Sequence, residues 1–201
     1  PSASSAASDV YKRQYLLLGT LVTKIGYKNK ASRGIAEARG GKRGPENVWG
    51  SAATGCSLAL LSCFWPNFLN LFMVGFASSF SAKLSDTFSS EIGKRFGKRT
   101  FLITTLKPVS PGTEGAISIE GSIAGLLGSF IMTVFMLNLS IISGLSVAFI
   151  VFLSGYLATF LESYIGAVVQ NKINWMTNEL VNSIQTSIAA IISIFLYLNF
   201  V

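Results

Sequence analysis

The chain has no histidine and only two cysteines, and charged residues fill just 12% of its 201 positions, about half the share usual in globular domains. Without histidine, a Ser-His-Asp triad, an H-E-x-x-H zinc site and a histidine general base are all excluded. Any chemistry must therefore run on carboxylates, amines and hydroxyls. Cys56 and Cys63 sit seven apart in one apolar block, which supports neither a disulfide framework nor a four-ligand zinc site, so both read as packing residues. What is abundant is apolar surface: 50% of the residues are hydrophobic, the mean hydropathy is +0.53, and the apolar residues come in blocks. A disordered chain is excluded, and a bilayer is the expected solvent for most of it. The net charge of +7 then raises the question of which side of a membrane holds the Lys and Arg.

The first fourteen residues, PSASSAASDVYKRQ, resemble translated adapter sequence from cDNA libraries and read as a non-native leader, residues 1–14, apart from a single membrane domain over 15–201. The apolar run Tyr15 to Val22 starts without a cap and is too short to span, as if cut from a longer helix, so the natural N-terminus is expected to lie upstream. Apolar blocks follow from about Ser51 to Phe64, Phe68 to Ala82, Ala116 to Leu137, Ile141 to Phe160 and Val181 to Val201, with an interfacial turn at Trp65-Pro66-Asn67. The expected fold is all-α, a polytopic transmembrane bundle of about five spans plus the truncated N-terminal helix.

Charge placement tests that topology. The polar stretches 23–49, 83–115 and 161–180 are separated by pairs of spans and so share one membrane face, and every Lys and Arg beyond the leader lies in them, including Lys42, Arg43 and Lys172. The turns around Pro66 and Leu139 carry none. Such segregation follows the positive-inside rule and puts the three stretches in the cytoplasm or its organellar equivalent, whichever organelle or plasma membrane that is. The same cations attract anionic lipid headgroups and phosphorylated substrates.

The densest polar cluster is SDTFSSEIGKRFGKRT, where Asp86 and Glu91 near the membrane surface give way to Lys94, Arg95, Lys98 and Arg99 spaced by glycines. Two carboxylates with water can hold Mg²⁺, and Lys and Arg can hold phosphates that the ion bridges. An acid at the bilayer centre costs about 2.5 to 3.5 kcal/mol on insertion scales, so Asp86 should face a polar cleft or the interface. In LITTLKPVSPGTEGAIS, Lys107 precedes a turn of Gly112, Thr113, Glu114 and Gly115 placed immediately before a hydrophobic helix, a candidate phosphate loop that lacks the Walker A pattern. Glu162 lies on the same face, and Asn178 and Asn182 fall on one stripe at the start of the last helix with Gln185, which reads as an interhelical hydrogen bonder.

At these residues the chain resembles the membrane family of transmembrane protein 19 and the plant phytyl-phosphate kinase of tocopherol synthesis. The stretches that carry the likeness are LVTKIGYKNKA, EARGGKRGPENVWGSAATG, SDTFSSEIGK, LITTLKPVSPGTEGAISIEGSIAG, LESYIGAVVQ and NELVNSIQT. More distantly, D-T-x-x-x-x-x-G-K-R-x-G-K followed by K-x-x-S-P-G-T-E-G is similar to the core of polyprenol kinases and phosphatidate cytidylyltransferases, which use CTP and Mg²⁺. The resemblance implies Asp86, Glu91 and Glu162 as metal ligands, Asp86, Glu91 and Lys107 as catalytic groups, and Lys94, Arg95, Lys98, Arg99, Gly112, Thr113 and Gly115 as phosphate contacts. Glu162 stands where the family commonly has Asp, and Glu114-Gly115-Ala116 replaces a usual Ser-Gly-Gly.

The function implied is a Mg²⁺-dependent kinase that passes a phosphoryl group from CTP or another NTP to a lipid monophosphate such as phytyl phosphate. A cytidylyltransferase using the same site and a non-enzymatic multi-pass protein are the alternatives. The expected partners are membrane lipids, an isoprenoid phosphate and a nucleotide. Nucleic acid is not expected, since the basic loops lack interleaved aromatic platforms, and the sequence does not indicate an oligomeric state.

Overall fold

A computed structural model describes residues 17–37, 39–41, 44–170, 173 and 175–201; the leader and the cations Lys42, Arg43 and Lys172 lie outside them. Helix α1 (residues 17–24) and the short α2 (Tyr27–Ser32) precede five long helices: α3 (Pro45–Phe64), α4 (Leu69–Phe96), α5 (Ile119–Asn138), α6 (Leu145–Ile165) and α7 (Asn178–Phe200). Between α4 and α5 a minimal antiparallel pair, β1 (Phe101–Leu102) and β2 (Ala116–Ile117), closes a loop, with Phe101 opposite Ile117. That pair, with an isolated bridge from Phe101 to Pro108, is the departure from all-α among the described residues, and its two-residue strands gave no alternating pattern to read.

Local chemistry sets the ends. Pro45 occupies the first turn of α3, where its missing N–H costs nothing, and Pro66 ends the same helix by pushing Trp65 out of the helical region. The side chain of Ser118 accepts from Gly121 N at 3.1 Å to cap α5, and Thr177 caps α7 through Leu180 N. Beyond Ile165, α6 widens into a π turn over Gly166–Gln170.

The sequence placed 83–96 in a polar stretch, but α4 runs unbroken for 28 residues to Phe96, about 42 Å at 1.5 Å per residue. The reason is its position. Helix α4 is central and packs against α3, α5, α6 and α7, so its Ser78, Ser79, Ser81, Lys83, Ser85 and Thr87 are buried by protein, not exposed in a loop. Hydropathy falls along it while helicity persists. Its core residues Val74, Phe76, Phe80 and Leu84 meet Met132 and Met136 of α5 and Val151 of α6, while Phe130, Phe149, Ile191, Phe195 and Leu198 point outward.

Small residues bring the neighbours close. A Cβ at Gly128 would sit 2.8 Å from Leu84 O, and one at Gly155 would sit 2.5 Å from Ser81 Oγ. Hydroxyls and amides then bond across the seams: Ser81 Oγ to Ser129 Oγ at 2.8 Å, Thr159 Oγ1 to Ser85 Oγ at 2.9 Å, and Gln185 Nε2 to Ala82 O at 3.3 Å, the interhelical use expected of that glutamine.

Three helical segments are long and apolar enough to cross a membrane, Ile119–Asn138, Leu145–Gln170 and Asn178–Phe200, and α3 holds a shorter apolar run, Val48–Phe64. With α3 and α4 they make the polytopic helical bundle that the blocks implied. The described parts of 23–49, 83–115 and 161–180 gather at one end: Lys30 of α2 reaches Glu91 of α4, and Gly50 of α3 lies against the Glu179 backbone of α7.

Candidate functional site

At that end a polar pocket of 330 Å³ opens among α4, the β1–β2 loop, the end of α6 and the start of α7. Asp86, Glu91, Gly93 and Lys94 line it from successive turns of α4, Gly112 to Gly115 from the loop, Glu162 and Ser163 from α6, and Asn178 and Asn182 from α7. Residues as far apart in sequence as Lys83 and Asn182 thus converge, because antiparallel helices return their polar ends to the same level.

The pocket floor is built around a lysine. Lys83, buried in α4, donates to Asp86 Oδ2 at 2.6 Å and to Asn182 Oδ1 at 2.8 Å, tying α4 to α7 beneath the opening. By sequence Lys83 is one of the cations of the polar stretch 83–115. Its signal was there: a lone Lys within a run of small and apolar residues, three positions before Asp86, is the intramembrane charge that ordinarily needs a named partner. A second buried pair, Lys30 Nζ with Glu91 Oε2, closes the side toward α2, and Lys30 also donates to Thr23 O at 2.9 Å. Glu37, by sequence only one of two acids in the basic stretch 23–49, lines the pocket from the segment after α2, where Tyr27 Oη donates to its carbonyl at 3.0 Å.

Other sequence candidates lie elsewhere. Arg95 packs against the Gly26 turn with its guanidinium 4.9 Å above the Phe96 ring, Lys98 and Arg99 line a shallow depression with Pro108 on the outer side of the hairpin, and Lys107 is exposed in the β1–β2 loop. Adjacency to Asp86 along the chain did not bring them to it: Arg95, nine residues on, falls on the opposite face of α4, and Lys98, Arg99 and Lys107 follow the end of that helix at Phe96.

The glycine loop reaches the pocket, though not as a helix start. Strand β2 and the cap Ser118 intervene between Gly115 and α5, and Ser118 already satisfies one N–H of the first turn. Gly112 and Gly115 have φ of +90° and +76°, and a Cβ at Gly115 would overlap Ala167 and lie 2.7 Å from Ser163 O. These glycines let the loop press onto the end of α6, which sets one pocket wall.

The electrostatic balance is acidic. With Glu91 paired to Lys30, Glu37, Asp86, Glu114 and Glu162 face Lys83 and Lys94, and Asp86, Glu114 and Glu162 repel one another. Glu114 keeps part of its surface open at the pocket mouth, yet partial burial raises its pKa above the ordinary 4.5; Lys94 opposes that shift, and Asp86 and Glu37 add to it. A bare phosphate would meet repulsion here, whereas a phosphate carrying a hard dication would not. Among the described residues no three His, Cys, Asp or Glu form a metal-binding group. The donors present are all oxygen, and Asp86 with Glu162 are the two carboxylates that could hold a hard dication, an ion such as Mg²⁺ needing only one or two from the protein.

A family model described as integral membrane protein DUF92 matches residues 10–190. The chain is 50% identical over 181 residues to a Synechocystis protein named as uncharacterized membrane protein sll0875, covering 90% of this chain and 70% of that one. It is 45% identical over 185 residues to the Arabidopsis thaliana protein VTE6, chloroplastic, covering 90% of this chain, and it spans 55% of that relative's length. Uncharacterized membrane protein MJ0933 of Methanocaldococcus jannaschii is 32% identical over 183 residues, with 91% of this chain and 73% of that protein covered. No solved structure matches the chain.

Proposed function

The chain belongs to the integral membrane protein family DUF92, and from that premise we propose that it is a lipid-phosphate kinase whose active site is the acidic pocket at the polar end of its bundle. The observation that carries this reading is the convergence of Asp86 and Glu162 with Lys83, Lys94 and two amides in a pocket at the end of apolar helices, where a headgroup and a soluble nucleotide can meet. The resemblance to phytyl-phosphate kinase and to CTP-using polyprenol kinases supplies the reaction and its isoprenoid substrate.

In the reaction, an oxygen of the lipid monophosphate attacks the terminal phosphorus of CTP or another NTP. The bond from that phosphorus to the bridging oxygen breaks, the nucleoside diphosphate leaves with the electron pair, and a lipid diphosphate results. Asp86 and Glu162 would hold Mg²⁺, which when bound would supply positive charge against the phosphates. Lys83 fixes the Asp86 carboxylate, Asn182 fixes Lys83, and Lys94 offers positive charge at the pocket wall. The nucleophilic oxygen is already anionic, so no general base is required and the absence of histidine is no obstacle. Glu91, bound by Lys30, contributes by holding the α2 segment beside the pocket.

The test is turnover of phytyl monophosphate by protein in lipid nanodiscs, with product identification. Wild type should yield the lipid diphosphate and a nucleoside diphosphate, and Asp86→Asn should lower the rate by at least about a hundredfold. Release of pyrophosphate would replace the kinase with the cytidylyltransferase reading, and wild-type activity in Asp86→Asn would remove the metal role from Asp86.

A further inference from the structure

Beside the polar pocket lies an apolar groove of 240 Å³, lined by Phe101 and Ile117 of the hairpin, Ile123 and Leu126 of α5, and Tyr156 of α6. Ser118 lines both spaces, so the groove begins where the pocket ends. Resting on the kinase reading above, we propose that this groove is the seat of the substrate's hydrocarbon tail, entered from the bilayer between α5 and α6, and that Ser118 marks the point where head and tail part.

The placement follows from depth. From Ser118 to Leu126 the groove descends α5 by about 12 Å at 1.5 Å per residue, along a helix long and apolar enough to cross a membrane. Ile123 and Leu126 are exposed, so the groove opens sideways to hydrocarbon, and its upper end is roofed by the Phe101–Ile117 strand pair. The wall at Ser118 is held firmly, because its hydroxyl is committed to Gly121 N and Gly93 of α4 and the following Gly97 lie so close that a Cβ on either would come within 3.3 Å of it. Tyr156 forms the facing side, braced by the Phe160 ring at 5.0 Å in an edge contact. A larger apolar depression, lined by Leu145, Phe149, Leu196 and Phe200, lies at the starting end of α6 and the finishing end of α7, a full helix length from Glu162 and Asn182. A tail there could not belong to a phosphate in the pocket.

The bilayer already removes the tail from water, so the groove gains little by hydrophobic transfer and acts through packing. Its effect should therefore be on which tails are accepted and how the phosphate is presented.

The experiment uses the full chain in nanodiscs with an isoprenoid monophosphate carrying a diazirine midway along its tail, mapped by mass spectrometry after irradiation. Labelling at Ile123, Leu126 or Tyr156 that unlabelled isoprenoid monophosphate suppresses supports the groove. Labelling concentrated near Leu196, or spread over all outward-facing residues as for bulk bilayer lipid, overturns it. In parallel, Ile123→Trp should lower the ratio of long-tail to short-tail turnover by about tenfold, with Leu145→Trp at the far depression leaving that ratio unchanged. An unchanged ratio in Ile123→Trp also overturns the proposal. Phosphoryl transfer with labels outside the groove would sink the groove alone, and labels in the groove without phosphoryl transfer would sink the kinase reading alone.

Discussion

Lys83 Nζ donates to Asp86 Oδ2 at 2.6 Å from one turn earlier on the same helix, and both side chains are largely shielded, at 4% and 14% exposed. A lysine so placed is an internal counter-ion at the position where the proposed mechanism needs a dication. Lys83→Met strips Asp86 of that partner, and breaking a buried pair costs about 3–5 kcal/mol. The melting temperature in detergent should fall markedly. Added Mg²⁺ should recover more stability in Lys83→Met than in wild type, because the ion takes over the missing charge, and Asp86→Asn on top of Lys83→Met should abolish that gain. Equal Mg²⁺ effects in the three proteins would separate Asp86 from metal binding.

Glu114 gives the pocket a pH dependence with a defined sign. A carboxyl whose folded pKa is raised favours folding while protonated, so its contribution is full below the ordinary 4.5 and is lost as pH rises through the raised value. Glu114→Gln removes the charge that forms there. Its melting temperature relative to wild type should therefore increase as pH is raised through that window, and binding of Mg²⁺-nucleotide near pH 7 should strengthen. A stability difference that does not change with pH would show that Glu114 titrates normally.

Much of the site was legible because intramembrane polarity is conspicuous. Asp86, Glu162, Asn178 and Asn182 stand out against apolar helices, and the alternation of spans puts their ends on one face. Pairing was not legible. Lys30 and Glu91 are 61 positions apart with no periodicity linking them, and only the fold of α1 and α2 back over α4 brings them together. Runs of neighbouring cations did not resolve the site either: Lys98, Arg99 and Lys107 share a polar stretch with Lys94, but they come after the end of α4 and only Lys94 lines the pocket. The length of α4 was hidden for a related reason, since hydropathy reports the solvent a residue prefers and Ser81, Ser85 and Thr87 are solvated by other helices.

The seam between α4 and α5 depends on Gly121, Gly125 and Gly128. A Cβ at Gly121 would lie 2.8 Å from Ser89 O and one at Gly128 equally close to Leu84 O, both backbone atoms that cannot swing aside. Gly128→Ala should thus cost about 1–3 kcal/mol by overpacking, and Gly121→Ala should act similarly while also shifting Ser89 and Glu91 at the pocket wall. Thermal unfolding of both variants checks this. Gly125→Ala is the milder comparison, since its nearest neighbours stand at 3.2 Å or more and include the Ser85 and Ser89 side chains.

The two ion pairs near the N-terminal segment should respond very differently to the same operation. Arg39 and Glu46 meet at 2.8 Å with side chains 59% and 48% exposed, so solvent and salt screen them and Arg39→Ala should change stability by less than about 1 kcal/mol. Lys30 and Glu91 are at 0% and 4% exposure, and removal of the lysine leaves a carboxylate buried between α2 and α4. Lys30→Met should cost about 3–5 kcal/mol and loosen the segment from Gly26 to Glu37, read as faster hydrogen exchange there. Replacing both partners, Lys30→Met with Glu91→Leu, should restore much of the loss, since an apolar pair of similar volume suffers no desolvation. The double variant also separates docking from chemistry. If Glu91 serves only to hold the α2 segment, turnover of lipid monophosphate should return along with the protected exchange pattern; if stability returns and turnover does not, Glu91 acts on the substrate complex directly.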